Sequence, residues 1–331
     1  MSLKINSLTN LFKNFDTSRL ALTLFVSSVL SSCSTTDRQQ SVVIPDDQVG
    51  LKFGLLLMAH GAGEEWNAAV EESIIDLASS YPIEIAFGMA DAGSIEASVD
   101  RLEAAGVEHV GVVRMFVSGE SWYDRTKQIL GLQEGAPSKE EADKTPQPAM
   151  FMPMGFWKLD TQLSFYVSED GLADAPEMDD VLTSRIRSLS KEPAKEVAIV
   201  LAHGTGSDEE DSRWVEKITQ RTALAKTTLG LHDIKVFTLR EDWMEKREQA
   251  ERLIRTYLED ASKNGFTPLV VPFRVQGFGP YASVLEGLDY KANTMGLLPH
   301  KNVNLWIQNQ AGLLEQIAQD RCQTSLATVD C

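Results

Sequence analysis

Short apolar runs alternate with segments of helical period along most of the chain. Residues 53–59 form a continuous apolar run of strand length, as expected for a strand buried on both faces of a parallel sheet. Beyond a histidine and two glycines, Trp66, Ala69, Val70, Ser73, Ile74 and Leu77 recur at helical spacing. Pro82 opens a second strand at 83–89, a helix at 95–105 ends on Gly106, and 107–117 reads as a third strand. The same order returns later: strand 197–202, helix 214–229, strand 234–239, helix 245–263 and, after Gly265, strand 268–275. Fourth strands are expected at 149–154 and 302–306, each followed by a helix, at 179–190 and 313–321.

Strands alternating with helices predict an α/β protein whose parallel sheets carry helices on both faces. The repeat is about one domain long, which points to a duplicated lobe and excludes a solenoid of short repeats. The first lobe is assigned to 51–191 and the second to 192–331, with the join at 190–196, where Lys191-Glu192-Pro193 disfavours helix before the proline. Within the first lobe, 131–148 is rich in Pro, Glu, Lys and Ala without apolar period and reads as a surface insertion.

The first residues belong to a different class of signal. Lys4, Lys13 and Arg19 precede an apolar stretch at 20–30 that is short for a membrane span and reads as an export signal. It ends in Leu30-Ser31-Ser32-Cys33, which resembles the lipobox of bacterial lipoproteins, with Cys33 as the lipid-bearing residue once 1–32 are removed. Residues 33–50, polar and rich in Ser, Thr, Gln and Asp, read as a tether. The expected location is the bacterial cell envelope, lipid-anchored and facing the periplasm. In that oxidising setting Cys322 and Cys331 could close a small disulfide loop, the other reading being two thiols on a tail.

Length and charge narrow the function. The 331 residues, 43% of them apolar, suffice for two domains with their own cores. Acids outnumber bases 48 to 31, a formal charge of −17, which becomes −19 without the three bases and one acid of 1–32. A nucleic-acid binder, which needs a cationic footprint, is excluded on that ground.

Candidate chemistry sits where the two halves repeat one another. Leu55-Leu56-Leu57-Met58-Ala59-His60-Gly61-Ala62-Gly63 returns as Ile199-Val200-Leu201-Ala202-His203-Gly204-Thr205-Gly206. Each histidine then stands at the carboxyl edge of a strand, where open α/β sheets gather ligands. For either copy alone, a residue that merely shapes its turn is the simpler reading. The duplication favours function, because His109, His232 and His300 have no such counterparts. Neither Gly-x-Gly extends to Gly-x-Gly-x-x-Gly, so a dinucleotide site is poorly supported. No Gly-x-Ser-x-Gly elbow serves a hydrolase, and Ala59 and Ala202 stand where a histidine phosphatase would carry arginine. Metal chemistry remains, since imidazoles from two facing lobes can ligate Co2+, Fe2+, Ni2+ or Zn2+ with positions left open.

With residues 51–130 in view, and more faintly 197–288, the chain resembles the sirohydrochlorin cobaltochelatase and ferrochelatase family, the small class II chelatases. The strand-His-Gly turn, the Trp66-Asn67-Ala68-Ala69-Val70 helix and the Leu102-Glu103-Ala104-Ala105-Gly106-Val107 join carry that resemblance. It implies two flavodoxin-like α/β lobes with a tetrapyrrole cleft between them. His60 matches the family's metal-binding histidine, which also takes part in removing pyrrole protons, and His203 is its repeat. Two family features are missing. The acid after the second strand aligns with Met89 and Leu239, and the second loop histidine aligns with Trp122 and Pro280. Asp91, Glu120 and Glu241 are the nearest substitutes, with Glu120 the candidate third metal ligand. Macrocycle contacts are expected from Ser118, Gly119 and Gly277 in the loops after the third strands. Local bases, Arg114, Lys158, Arg274 and Lys291, would be needed to hold a polycarboxylate ring against the acidic field.

The expected function is thus a chelatase-like lipoprotein binding a divalent metal, a tetrapyrrole or both between its lobes, in the active case inserting Co2+ or Fe2+ into a sirohydrochlorin-type ring. The alternative is a non-catalytic metal or tetrapyrrole carrier of the envelope, and a third option is a structural envelope protein whose histidines only shape turns.

Overall fold

The computed structural model describes residues 51–144 and 154–326. The export signal, Cys33, the tether, the end of the insertion, residues 149–153 and Cys331 lie outside the described residues. Among the described residues, no helix is long and apolar enough to cross a membrane.

The first half runs β1 (Phe53–Ala59), α1 (Glu64–Glu72), β2 (Ile83–Phe87), α2 (Ala92–Ala104), β3 (His109–Met115), α3 (Tyr123–Ile129), α4 (Lys139–Lys144), β4 (Ser164–Val167) and α5 (Glu177–Leu189). The second half runs β5 (Glu196–Ala202), α6 (Asp208–Arg221), α7 (Ala223–Leu229), β6 (Asp233–Thr238), α8 (Met244–Lys263), β7 (Thr267–Phe273), α9 (Tyr281–Val284), β8 (Lys291–Ala292) and α10 (Lys301–Leu326). Two four-stranded parallel sheets result, ordered β2-β1-β3-β4 and β6-β5-β7-β8. Each half is therefore a flavodoxin-like α/β lobe, with its first strand central and buried along its whole length.

Side-chain alternation decides which core each strand residue joins. Leu56 and Met58 face outward onto Ile95, Val99 and Leu102 of α2, while Val197, Ile199 and Leu201 meet Ile254 and Leu258 of α8. The opposite faces, Leu55, Leu57 and Ala59 of β1 and Ala198, Val200 and Ala202 of β5, belong to a single core shared by both halves. Helices exchange across it. Helix α5, which follows the first sheet in sequence, packs on α7 and β7, whereas α10, which follows the second sheet, packs on β3 and β4 and against α5. The division at 191/192 thus follows chain order, and the packing crosses it twice.

Arg185 of α5 fixes that crossing from inside the core. It donates to the carbonyls of Gly296, Leu297 and Pro299, the loop leading into α10, at 2.9, 3.1 and 2.8 Å. At α6, Ser207 caps the first turn through Glu210 N, and Asp208, Glu209, Glu210 and Asp211 complement the helix dipole.

Three expected elements fall elsewhere. The fourth strand of the first sheet is Ser164–Val167 and not 149–154, and that of the second is the two-residue β8 and not 302–306. Residues 302–306 open the longest helix. Their apolar content belongs to the stripe Val303, Trp306, Ile307, Ala311, Leu314 and Ala318, which has helical and not strand period. The expected helix 214–229 starts earlier and divides at Thr222 into α6 and α7.

Gly111 of β3 and Gly312 of α10 test how tightly the exchanged helix seats. A Cβ on Gly111 would come within 2.6 Å of the Phe53 ring and 3.2 Å of Leu314 Cβ, while one on Gly312 meets nothing within 4 Å. Gly111→Ala is expected to destabilise by about 1–3 kcal/mol through overpacking. Gly312→Ala should stabilise by about 0.5–1 kcal/mol. Urea denaturation measures both, and a Gly111→Ala midpoint equal to wild type would contradict the close packing of Gly111 against Phe53, Leu55 and Leu314.

Candidate functional site

Both Ala-His-Gly corners are built by one backbone solution. Ala59 ends β1 in register with Phe87, and Ala202 ends β5 in register with Thr238. Gly61 and Gly204 then turn with φ +75° and +80°, a region favouring glycine. A Cβ there would lie 3.0 Å from Phe87 Cβ and 2.7 Å from Thr238 Cβ, so close approach to the neighbouring strand also demands glycine. The next backbone N–H is caught by a side chain of the following helix: Ala62 N donates to Asn67 Oδ1 at 3.0 Å, and Thr205 N to Asp211 Oδ1 at 3.1 Å.

The turn also orients the imidazoles. His60 Nδ1 lies 2.8 Å from Gly61 O, and His203 Nδ1 lies 2.8 Å from Gly204 O. A carbonyl only accepts, so Nδ1 is the donor in both rings, and Nε2 is the atom left for chemistry. Here the lobes differ. Nε2 of exposed His60 makes no hydrogen bond among the described residues. Nε2 of His203 faces Asp242 Oδ2 at 3.2 Å and Glu241 Oε2 at 3.9 Å.

His60 and His203 line one cavity of about 460 Å³ between the lobes. Trp66, Trp122, Trp214 and Trp243 share it, four of the chain's six tryptophans, together with Met89, Met115, Phe116 and Val117. His60 meets Trp66 edge to face at 6.4 Å between centroids, and His203 meets Trp243 likewise at 6.1 Å. The acids at the wall are Glu120, Glu210 and Asp242, and the one guanidinium is Arg274. Arg274 is paired with Glu241. Glu120 is gripped by both Nε and Nη2 of Arg213, hydrogen bonds that hold its carboxyl below the usual range.

The other expected contacts do not reach the cavity. Arg114 is 1% exposed, and its donors go to the carbonyls of Ser168, Ser121, Gly119 and Glu169, with burial pushing its pKa down to about 10. It organises the loop after β3 from within. Ser118 is buried and accepts from Glu120 N, and Gly119 passes so near Glu169 O that a Cβ would sit at 2.1 Å. Gly277 shapes a turn at φ +76°, its N–H donating to Met295 O. None of these four lines the cavity, because each is spent on the backbone of the loop that shapes it.

Metal ligation is not supported by the protein groups alone. Among the described residues, no three His, Cys, Asp or Glu side chains are grouped to hold an ion, and Glu120 is engaged by Arg213. Strand register makes Met89 the counterpart of Arg240, one place beyond Leu239. Of the substitute acids, Asp91 caps α2 through Ser94 N and accepts from Gly155 N, leaving Glu241 and the unforeseen Asp242 beside His203. His109, His232 and His300 contact Tyr166, Phe266 and Ser184, away from the cavity. Cys322 lies 3.7 Å from His109 Nε2, and its expected disulfide partner Cys331 is outside the described residues. Of the missed residues, Trp243 and Asp242 follow β6 in a segment without apolar period, and only their place after a strand end could have marked them.

No protein-family model matches the chain, and no curated protein matches it by sequence. Among solved structures it is similar to SirB from Bacillus subtilis with Fe3+, at 14% identity and a TM-score of 0.56, covering 79% of this chain and 96% of that one. A multi-domain protein from Deinococcus radiodurans with structural similarity to chelatases aligns at 16% identity and a TM-score of 0.47, over 78% of this chain and 54% of that one. The likeness to SirB shows a chelatase-like fold.

The anchoring of the second corner generates a direct prediction. Asp211 accepts from Thr205 N and from Thr238 Oγ1 at 2.7 Å and lies 3.4 Å from Arg240, all within a buried setting. Asp211→Ala is expected to cost about 2–4 kcal/mol in thermal or urea unfolding, against about 1 kcal/mol for Asn67→Ala in the more open first corner. Equal losses at the two positions would show that the corners are not held as described.

Proposed function

We propose that the interlobe cavity binds a tetrapyrrole, with His60 presenting its free Nε2 to the ring centre and the tryptophans bracketing the ring. The observation that carries this reading is the convergence of both repeated histidines and four indoles on one cavity. A flat aromatic ligand gains from such walls, each aromatic contact contributing about 0.5–1.5 kcal/mol beyond its buried area. A macrocycle also removes the difficulty over metal ligation. It supplies the four equatorial nitrogens itself, so a metal travelling as cargo needs one protein imidazole and not a cluster of three.

Carriage is favoured over metal insertion by the state of His203. Insertion calls for one group to hold the ion and another to accept pyrrole protons. His203 Nε2 is already engaged by Asp242, which leaves His60 alone with an uncommitted nitrogen. Insertion of Co2+ or Fe2+ into a sirohydrochlorin-type ring is the second reading, supported by the chelatase-like fold. We further propose attachment to the periplasmic face of the envelope through a lipid on Cys33, on the strength of the sequence of residues 1–33.

Titration of the full chain with deuteroporphyrin and with its cobalt form, followed by ring absorbance and tryptophan quenching, is expected to give saturable binding with Kd on the order of micromolar. His60→Ala should weaken the cobalt form by about tenfold or more and the metal-free ring far less. Absence of quenching and of any band shift with both rings removes the tetrapyrrole reading. In the same cuvette, Co2+ entering the free ring faster than in buffer, and this being lost in His60→Ala, would establish insertion over carriage.

A further inference from the structure

The charge of the cavity wall carries a conclusion about which ring fits. Arg274 is the one cationic side chain among the lining residues, and Glu241 neutralises it. Glu120 is neutralised by Arg213. Asp242 is paired with the His203 imidazole at 3.2 Å. That leaves Glu210, which has no cationic side chain at ion-pair distance among the described residues and accepts from Thr205 Oγ1 through Oε2 at 3.0 Å. The bases expected to receive ring carboxylates are elsewhere. Arg114 is enclosed by carbonyls, Lys291 lies 3.7 Å from Glu196, and Lys158 packs along Gly131.

We infer that the cavity selects a carboxylate-poor, neutral or cationic macrocycle and excludes the polycarboxylate rings of the sirohydrochlorin and uroporphyrin type. This rests on the tetrapyrrole reading of the same cavity and specifies its ligand class. The physical basis is local. Ring carboxylates brought between apolar indoles and the acid Glu210, with no free base to meet them, lose water and meet like charge at low effective dielectric, whereas a ring bearing few or none avoids both costs. The chain's overall charge of −17 acts in the same direction at longer range.

The test compares an octacarboxylate (uroporphyrin), a tetracarboxylate (coproporphyrin), a dicarboxylate (deuteroporphyrin) and a tetracationic N-methylpyridyl porphyrin on the full chain, by tryptophan quenching at low and high salt. Affinity is expected to rise as carboxylates fall, with the dicarboxylate at least about tenfold tighter than the octacarboxylate at low salt, and with added salt strengthening the octacarboxylate. Glu210→Gln and Asp242→Asn should each tighten the octacarboxylate by about threefold or more. Glu103→Gln on the outer face of α2 should leave it unchanged, which separates the cavity's field from that of the whole chain. If one cavity variant fails to fold, the other still reports. An octacarboxylate that binds as tightly as the dicarboxylate, or more so, overturns the selectivity and leaves the tetrapyrrole reading standing. Failure of every ring to bind removes both.

Discussion

The exchange of α5 and α10 between the two sheets is the constraint on which the site depends. Each sheet contributes one face to a shared core, and each half sends its last helix to cover part of the other. Neither half can therefore move as a separate body without exposing leucine, isoleucine and tryptophan surface worth about 25 cal/mol per Å2. The carboxyl edges of β1 and β5, and with them the two histidine corners, are held facing one cavity by that apolar interior. Polar ties at the rim follow it. Arg213, Lys217 and Arg221, spaced at four residues on one face of α6, pair with Glu120, Asp174 and Asp179 of the first half. The partly exposed members of this row contribute little individually. They align a contact that the core has already made.

Within that frame the duplicated corners share their backbone and differ in electrostatics. The glycine turn, the helix side chain that catches the next N–H, and the Nδ1 bond are common to both. What lies beyond Nε2 is not. The loop after β6 brings Glu241 and Asp242 to His203, while the corresponding loop after β2 brings Met89 toward His60 and spends Asp91 on capping α2. One imidazole is held in a polar pair and the other is open. The two corners thus share a backbone and differ in what their Nε2 atoms meet, acids at His203 and no hydrogen-bond partner among the described residues at His60.

Much of this was legible in the sequence, for identifiable reasons. The buried strands β1, β3, β5 and β7 are long apolar runs, and His60 and His203 stand out because the repeat places them identically. The outer strands were not legible, since β8 has two residues and β4 four, too few for any period. The stretch 302–306 misled because a short apolar run looks the same in a strand and in the first turn of a buried helix. The helix exchange leaves no local trace, being a matter of which distant face each apolar stripe covers. Arg114, near the carboxyl end of β3, is expected from sequence as a local base facing the cleft. Its guanidinium is instead surrounded by four carbonyls, contacts between loops that leave no local sequence trace.

The backbone of the cleft loops explains why its walls stand ready. Three non-glycine residues among those described have left-handed φ: Ala90 at 53°, Trp122 at 58° and Arg240 at 57°. All three lie in loops at the carboxyl edges, and such conformations cost on the order of 1–2 kcal/mol each. Each is held by hydrogen bonds to a neighbouring segment. Arg125 Nε donates to Ala90 O at 2.9 Å, Thr126 N and Oγ1 both donate to Trp122 O at 2.8 Å, and the Arg240 guanidinium binds Thr205 O, Gly206 O and Asp208. Strain that persists against such a cost marks geometry fixed before any ligand arrives. Of the four cavity indoles, Trp122 stands on such a backbone, so a ligand of the kind proposed would meet that wall already shaped, at a lower ordering cost on binding.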